Sequence, residues 1–334
     1  MIRVYTAGLA LLMTGAAPGA FAQEGQTFDA DTVQIANFIG RIEVREGGDT
    51  IVVEARPGAG GDAAAQVQLT GGVVAIDGGQ TVSRVNCRRR DGEAWLGRGG
   101  GWFGFGGGDA RPMSDYPSMV ITAPASMGLV IRDSIYEGEA GALGEADLAV
   151  RSCGHFTAGD VSGALSASMS GSGALTTGSV GAGADLALSG SGRVTTGDVG
   201  GAVDARVSGS GDIRTGDVAG SVRAIVSGSG SLTAGSVGVL NAVVSGSGSV
   251  RTGEQTGALS ARISGSGSVR VESGRAQPFS AAVSGSGSVR HGGEAVDVDV
   301  AISGSGGVRA ERFSGEIRWR GRGAPASSSS SASD

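Results

Sequence analysis

Val207-Ser208-Gly209-Ser210-Gly211-Asp212-Ile213-Arg214-Thr215-Gly216-Asp217-Val218 is part of one turn of a repeat, and reading that repeat decides the fold. Ser-Gly-Ser-Gly opens again at Ser170, Ser189, Ser227, Ser245, Ser264, Ser284 and Ser303, at intervals of 18 to 20 residues. Self-similarity at such a period is the signature of a solenoid. With the first Ser as zero, position −1 reads Met169, Leu188, Val207, Val226, Val244, Ile263, Val283 and Ile302. Position +5 reads Leu175, Val194, Ile213, Leu232, Val250, Val269, Val289 and Val308, and position −3 is Ala, Leu or Val throughout. Positions −3 and −1 alternate with the period of two that marks a strand facing a core. The apolar residues do not recur at helical spacing, and Gly interrupts every few positions, so a helix is excluded.

The frame extends backward. Arg151-Ser152-Cys153-Gly154 takes the Ser-Gly-Ser-Gly place, with Val150 at −1 and Phe156 at +5, and Ile131 is a further 19 residues upstream. A third apolar site at +10 (Val161, Val180, Val199, Val218, Val237) sits between glycines. One coil cannot bury its few aliphatic side chains, but stacked coils set Val on Val and pair each backbone with the coils on either side. The expected fold is all-β, a single-stranded parallel β-helix of about ten coils of ~19 residues, forming a rod on the order of 50 Å long.

Composition agrees. The 334 residues include 65 glycines and only 4% aromatics, so the core must be built from small aliphatic side chains. A hydrophobic content of 40% argues against disorder. The net charge of −6, with arginine as the basic residue throughout, disfavours nucleic acid as a partner.

Residues 1–22 carry Arg3, the apolar run Leu9 to Met13 and then Ala20-Phe21-Ala22, the pattern of a Sec signal peptide cleaved after Ala22. No later segment has the length of apolar residues needed to span a bilayer as a helix, so the mature chain is expected in the periplasm or at the cell surface. Residues 23–117 contain alternating pairs (Val33 and Ile35, Ile42 and Val44, Ile51 and Val53, Val67 and Leu69, Val74 and Ile76) outside the repeat frame. They read as irregular first coils or as a small sheet, an N-terminal β cap, and include a Gly- and aromatic-rich loop over 87–116. The β-helix proper is expected over 118–320, with Phe313, Ile317 and Trp319 closing the column, followed by a disordered Ser-rich tail over 321–334.

Three groups are candidate sites. Cys87 and Cys153 are the two cysteines of the chain, and in an oxidising compartment they either pair or stay as free thiols. Arg251, Arg270, Arg290 and Arg309, with Arg214 earlier, share position +6, so stacking should align them as a stripe for an anionic ligand or as a solvated face balanced by Asp160, Asp198, Asp217 and Glu254 at +9. Trp95, Trp102, Phe103 and Phe105 sit among glycines, in a loop folded over the helix end or a partner contact. No cofactor or metal is expected. His155 and His291 lie about seven coils apart in the proposed stack, so no Ser-His-Asp arrangement forms.

The run Ile39-Gly-Arg-Ile-Glu-Val, the strand pair ending at Ile76, Val120-Ile-Thr-Ala-Pro and the serial Val-Ser-Gly-Ser-Gly-Ser-Val resemble the autotransporter adhesin "head GIN" domain family over about residues 32 to 316. The resemblance implies an exported, right-handed β-helix with an adhesin role. This chain departs from it in the aromatic insertion and the two cysteines, and it lacks an autotransporter barrel. The expected function is a non-catalytic exported scaffold of adhesin type that binds surface glycan, other envelope components or another surface protein. A carbohydrate-active β-helix enzyme, lyase or glycosidase, is the alternative, and a pocket of converging carboxylates on one coil would distinguish it.

Overall fold

The computed structural model describes residues 25–83, 85–90, 92–98 and 110–324. The signal peptide expected over 1–22, most of the Ser-rich tail, and Trp102, Phe103 and Phe105 lie outside these residues. What is described is an all-β solenoid of parallel rungs. Each regular coil begins with a seven-residue strand (Leu165–Gly171, Ala184–Gly190, Val203–Gly209, Val222–Gly228, Leu240–Gly246, Leu259–Gly265), turns at Ser-Gly-Ser-Gly and continues in a shorter strand. A single residue then bridges on the third side, Val161 to Val180 to Val199 to Val218 to Val237.

The register sets each residue on its counterpart one repeat away. Val207 pairs with Val226 and Val226 with Val244, and their exposures are 1%, 0% and 0%. The inner columns at −3, −1 and +5 form one continuous buried cluster from end to end. Gln255 ends the bridging valine column; it is fully buried and its Nε2 donates to the carbonyl of Gly257 at 2.6 Å. Beyond it the second strand lengthens, through Ser249–Gln255 and Ser268–Ala276 to the unbroken Ser288–Gly304 and Gly307–Arg320.

Two devices keep the rungs in register at their corners. The first glycine of each Ser-Gly-Ser-Gly adopts a backbone reserved for glycine, with φ of +118° at Gly190, +124° at Gly209 and +114° at Gly228. A Cβ on Gly209 would also lie 2.5 Å from the carbonyl oxygen of Gly190 below it. The acidic residues at +9 are the second device. Asp160, Asp198 and Asp217 each accept, through Oδ1, the backbone N–H of the next coil, from Ser179 at 2.7 Å, Asp217 at 2.8 Å and Ser236 at 2.6 Å. These carboxylates tie coil to coil, a role distinct from that of a counter-charge to the arginines.

The N-terminal segment combines both readings open from its sequence, and its rungs are out of chain order. Strands β1 (Gln26–Phe28), β2 (Thr32–Ala36), β3 (Ile39–Glu46), β4 (Ile51–Arg56), β5 (Gln66–Thr70) and β6 (Val73–Asp77) come first. A projecting hairpin follows, β7 (Val85–Arg90) and β8 (Glu93–Arg98), with β9 (Arg111–Pro112) at its edge. The chain then re-enters the stack as β10 (Ser118–Ala123), β11 (Gly128–Arg132) and β12 (Ile135–Ala140), ahead of β13 (Ala146–Ser152) and β14 (His155–Ala158). β2 lies parallel between β6 and β11, and β3 lies parallel between β10 and β12. These are solenoid rungs. β1, β4 and β5 run antiparallel to their neighbours and make the cap.

Gly209→Ala combines the disfavoured φ with the carbonyl clash, and costs of order 1–3 kcal/mol are usual for such positions. The expected outcome is a lower Tm with the β-rich circular dichroism spectrum retained; an unchanged Tm would contradict the corner geometry.

Candidate functional site

Cys153 follows β13 in the turn to β14, and Cys87 is on β7. The fold brings them together, with Cα atoms 5.8 Å apart and the sulfurs paired. Around them Ala94 and Leu96 of the hairpin, with Met113, cover Ile39, Ile135 and Cys153 in a small core separate from the main one. Ile39, Ile135 and Cys153 occupy the corner column that later coils fill with the second Ser of Ser-Gly-Ser-Gly. The column is thus apolar where the hairpin covers it and Ser where it faces water, a switch visible at position +2 of the repeat frame.

On the hairpin, Arg89 pairs with Glu137 at 3.3 Å, and the Arg90 guanidinium sits 5.4 Å from the Trp95 ring centre. Trp95 is half-buried there. At the hairpin base Arg111 lies 4.2 Å over the Tyr116 ring and bonds Asp62.

The arginine column forms in part. Arg251, Arg270, Arg290 and Arg309 pair in consecutive rungs on one outer face, all exposed, but Thr233 separates Arg214 from them. Arg270 makes a two-point contact with Glu272, at 2.6 and 2.9 Å, which holds that carboxyl below its usual range. Arg214 reaches Asp212 at 3.4 Å, while Arg251 donates to Ser249. Among the described residues no carboxylate lies within ion-pair distance of Arg251, Arg290 or Arg309.

A second feature escaped the sequence reading. A groove of about 660 Å³ runs along the first strands of several coils, floored by Ala164, Gly183, Ala202 and Ser221 and walled by Asp147, Asp185, Asp204 and Arg223. Among the described residues, three of its four lining carboxylates are ion-paired, with Glu145 the exception: Arg132 takes Asp147, and Arg206 bridges Asp185 at 3.0 Å and Asp204 at 2.8 Å. Period-two reading of the outward positions, Asp204 and Arg206 on one strand, carries the signal. Two carboxylates sharing one guanidinium do not make an acid–base pair poised around a glycosidic bond.

His291 is a titratable group buried in the main core. It is 1% exposed, packs edge-on against Phe279 with ring centres 6.1 Å apart, and its ring nitrogens have no hydrogen-bond partner. Burial pushes its pKa below the usual value, against weaker pulls from the Gly293 backbone and Glu311.

Together, the stacked columns and outer faces define a parallel β-solenoid that presents long, repetitive surfaces. Residues 237–318 match the family model described as "Putative auto-transporter adhesin, head GIN domain", so the resemblance read from the sequence holds for that stretch. No curated protein matches the chain. Two solved structures align along most of it: a "Putative lipid binding protein" from Parabacteroides distasonis (14% identity, TM-score 0.37, covering 87% of this chain and 97% of that one), and a "putative adhesin" from Bacteroides fragilis (13% identity, TM-score 0.29, covering 86% and 95%). At those scores neither bears on function. No helix among the described residues is long and apolar enough to cross a membrane.

Two measurements follow from this geometry. Thiol titration of the denatured protein without reductant is expected to find no free thiol and, after reduction, both cysteines; two thiols at the outset would contradict the pairing. A His that must stay neutral when folded stabilises above its unfolded pKa of roughly 6.5, and that stability is lost as pH falls. The Tm should therefore drop between about pH 7.5 and 5.5, and His291→Leu should flatten the drop; an unchanged slope would show that His291 does not titrate with folding.

Proposed function

We propose that this protein is a non-catalytic, exported β-solenoid scaffold whose Arg251–Arg270–Arg290–Arg309 column grips a polyanionic component of the cell envelope, such as an acidic glycan. The observation that carries this reading is the in-register column itself. Four guanidiniums repeat at the rung spacing of about 4.8 Å, and among the described residues only Arg270 is within ion-pair distance of a carboxylate. Like charges stacked at that spacing repel one another, and a polymer with regularly placed anions relieves the repulsion while gaining charge-assisted hydrogen bonds. The signal-peptide pattern over 1–22 and the adhesin-type family matched at 237–318 agree with export and surface contact. The same residues support attachment through many weak, repeated contacts, the mode in which avidity substitutes for a deep pocket.

The test is binding of immobilised heparin, as a model acidic glycan, by the wild type and by the Arg270→Ala/Arg290→Ala double variant. Exposed charge contacts contribute about 0.2–1 kcal/mol each, so the double variant should bind several-fold to about tenfold more weakly and elute at lower salt. Equal affinity and equal salt dependence would remove the column from the function.

A further inference from the structure

We propose that copies of this chain associate head to tail, the basic C-terminal end of one rod seated on the acidic N-terminal end of the next. The proposal goes beyond the scaffold reading and uses neither Arg270 nor Arg290.

The buried column reaches the surface at the two ends of the rod. Phe28, Ala30 and Val67 at the first, and Ala310, Phe313 and Trp319 at the last, pack on the core while remaining partly open. Of the three large hydrophobic side chains most exposed among the described residues, Leu69 (51%) is on the outermost N-terminal strand and Ile317 (36%) on the outermost C-terminal one. The backbone is also unfinished at both places. Among the described residues the strand Gly307–Arg320 pairs only with Ser288–Gly304, β1 only with β4, and β5 only with β6. Unpaired edges of this kind recruit further strands unless something blocks them, and solenoid ends ordinarily carry a polar capping repeat.

Charge selects the partner. At the C-terminal end Arg318 is paired with Glu316 and Arg320 with Asp299, while among the described residues no ion pair engages exposed Arg309, Arg312, Arg322 or Glu311, so the arginines there outnumber the acids. At the N-terminal end Asp29 and Asp31, in the link out of β1, and Asp49, in the β3–β4 turn, are exposed and equally unmatched. Opposite ends attract; like ends do not. Val308, Ala310, Ile317 and Trp319 sit in register with buried Val289, His291, Val298 and Val300, which fixes them as the inward side of the strand. Two C-terminal ends paired about a two-fold axis over the full strand, inward residues facing inward, would set Val308 against Trp319 and Ala310 against Ile317. That register opposes Arg309 to Arg318 and Glu311 to Glu316, so like charges meet across the pair. A contact between different ends of successive copies does not close on itself and extends the rod.

The test is sedimentation velocity of the mature full-length chain over a wide concentration range, at low and high salt, with two surface variants, Leu69→Arg and Ile317→Glu, whose folding is checked by circular dichroism and Tm. The wild type should form species longer than a monomer that grow with concentration and shrink with salt. Each variant alone should be monomeric, because every contact then includes one damaged end. An equimolar mixture should regain association, because each variant supplies the end that the other lacks. A wild type that stays monomeric at every concentration would overturn the proposal and leave the ends to another partner. Wild-type association by either variant alone would also overturn it, by showing that like ends meet.

Discussion

The parallel backbone ladder between coils is the constraint on which everything else in this protein rests. Because each rung hydrogen-bonds to the next at about 4.8 Å, a residue's nearest neighbour outside its own coil is its counterpart one repeat away. Every column must therefore tolerate itself. Inside, that favours Val, Leu, Ile and Ala, whose copies interlock without leaving polar groups unpaired. At the corner it requires glycine, because the backbone carbonyl of the preceding coil occupies the space that a Cβ would take at Gly190, Gly209 and Gly228. The aspartates at +9 meet the same requirement with chemistry, each carboxylate accepting the next coil's amide at the turn.

Outside, self-stacking writes different surfaces along one rod. In the early coils Arg and Asp share the outer positions, so Arg206 can bridge Asp185 and Asp204 and the charges largely cancel. In the late coils Arg lies on Arg, and among the described residues Glu272 is the one carboxylate within ion-pair distance of the four guanidiniums. The change between these regimes coincides with the end of the valine column at Gln255 and the lengthening of the second strand, which broadens the face that carries the arginines.

Much of this was legible in the sequence because a solenoid turns spacing into contact. The columns at −3, −1, +5 and +10 appear in the structure as they read in the chain, and Val207, Val226 and Val244 stack inside as the period demands. The four late arginines follow from the same arithmetic, and Thr233 at their position explains why Arg214 stands apart. The N-terminal arrangement was not legible. No period relates β2 to β6 or β3 to β10, so sequence shows strands without showing which of them touch. The role of the +9 aspartates was also hidden, since a carboxylate that bonds a backbone amide and one that neutralises an arginine look alike in a string of letters. The corner cover over Ile39 and Ile135 depends on a hairpin inserted far from both in the chain.

The out-of-order rung has a consequence for how such a chain is completed. β2 and β3 leave the ribosome first, yet each is flanked on both sides by segments made later: β6 and β11 for one, β10 and β12 for the other. Coil-by-coil growth from the leading end is therefore unavailable to this molecule. β2 can pair with β6 on one side early, but the second flank of both early strands waits until some ninety more residues have emerged, whereas the repeats downstream can zip from any point. A chain crossing a membrane N-terminus first would present its least finished part to the new compartment, and any helper that shields it there would be needed only until β12 arrives.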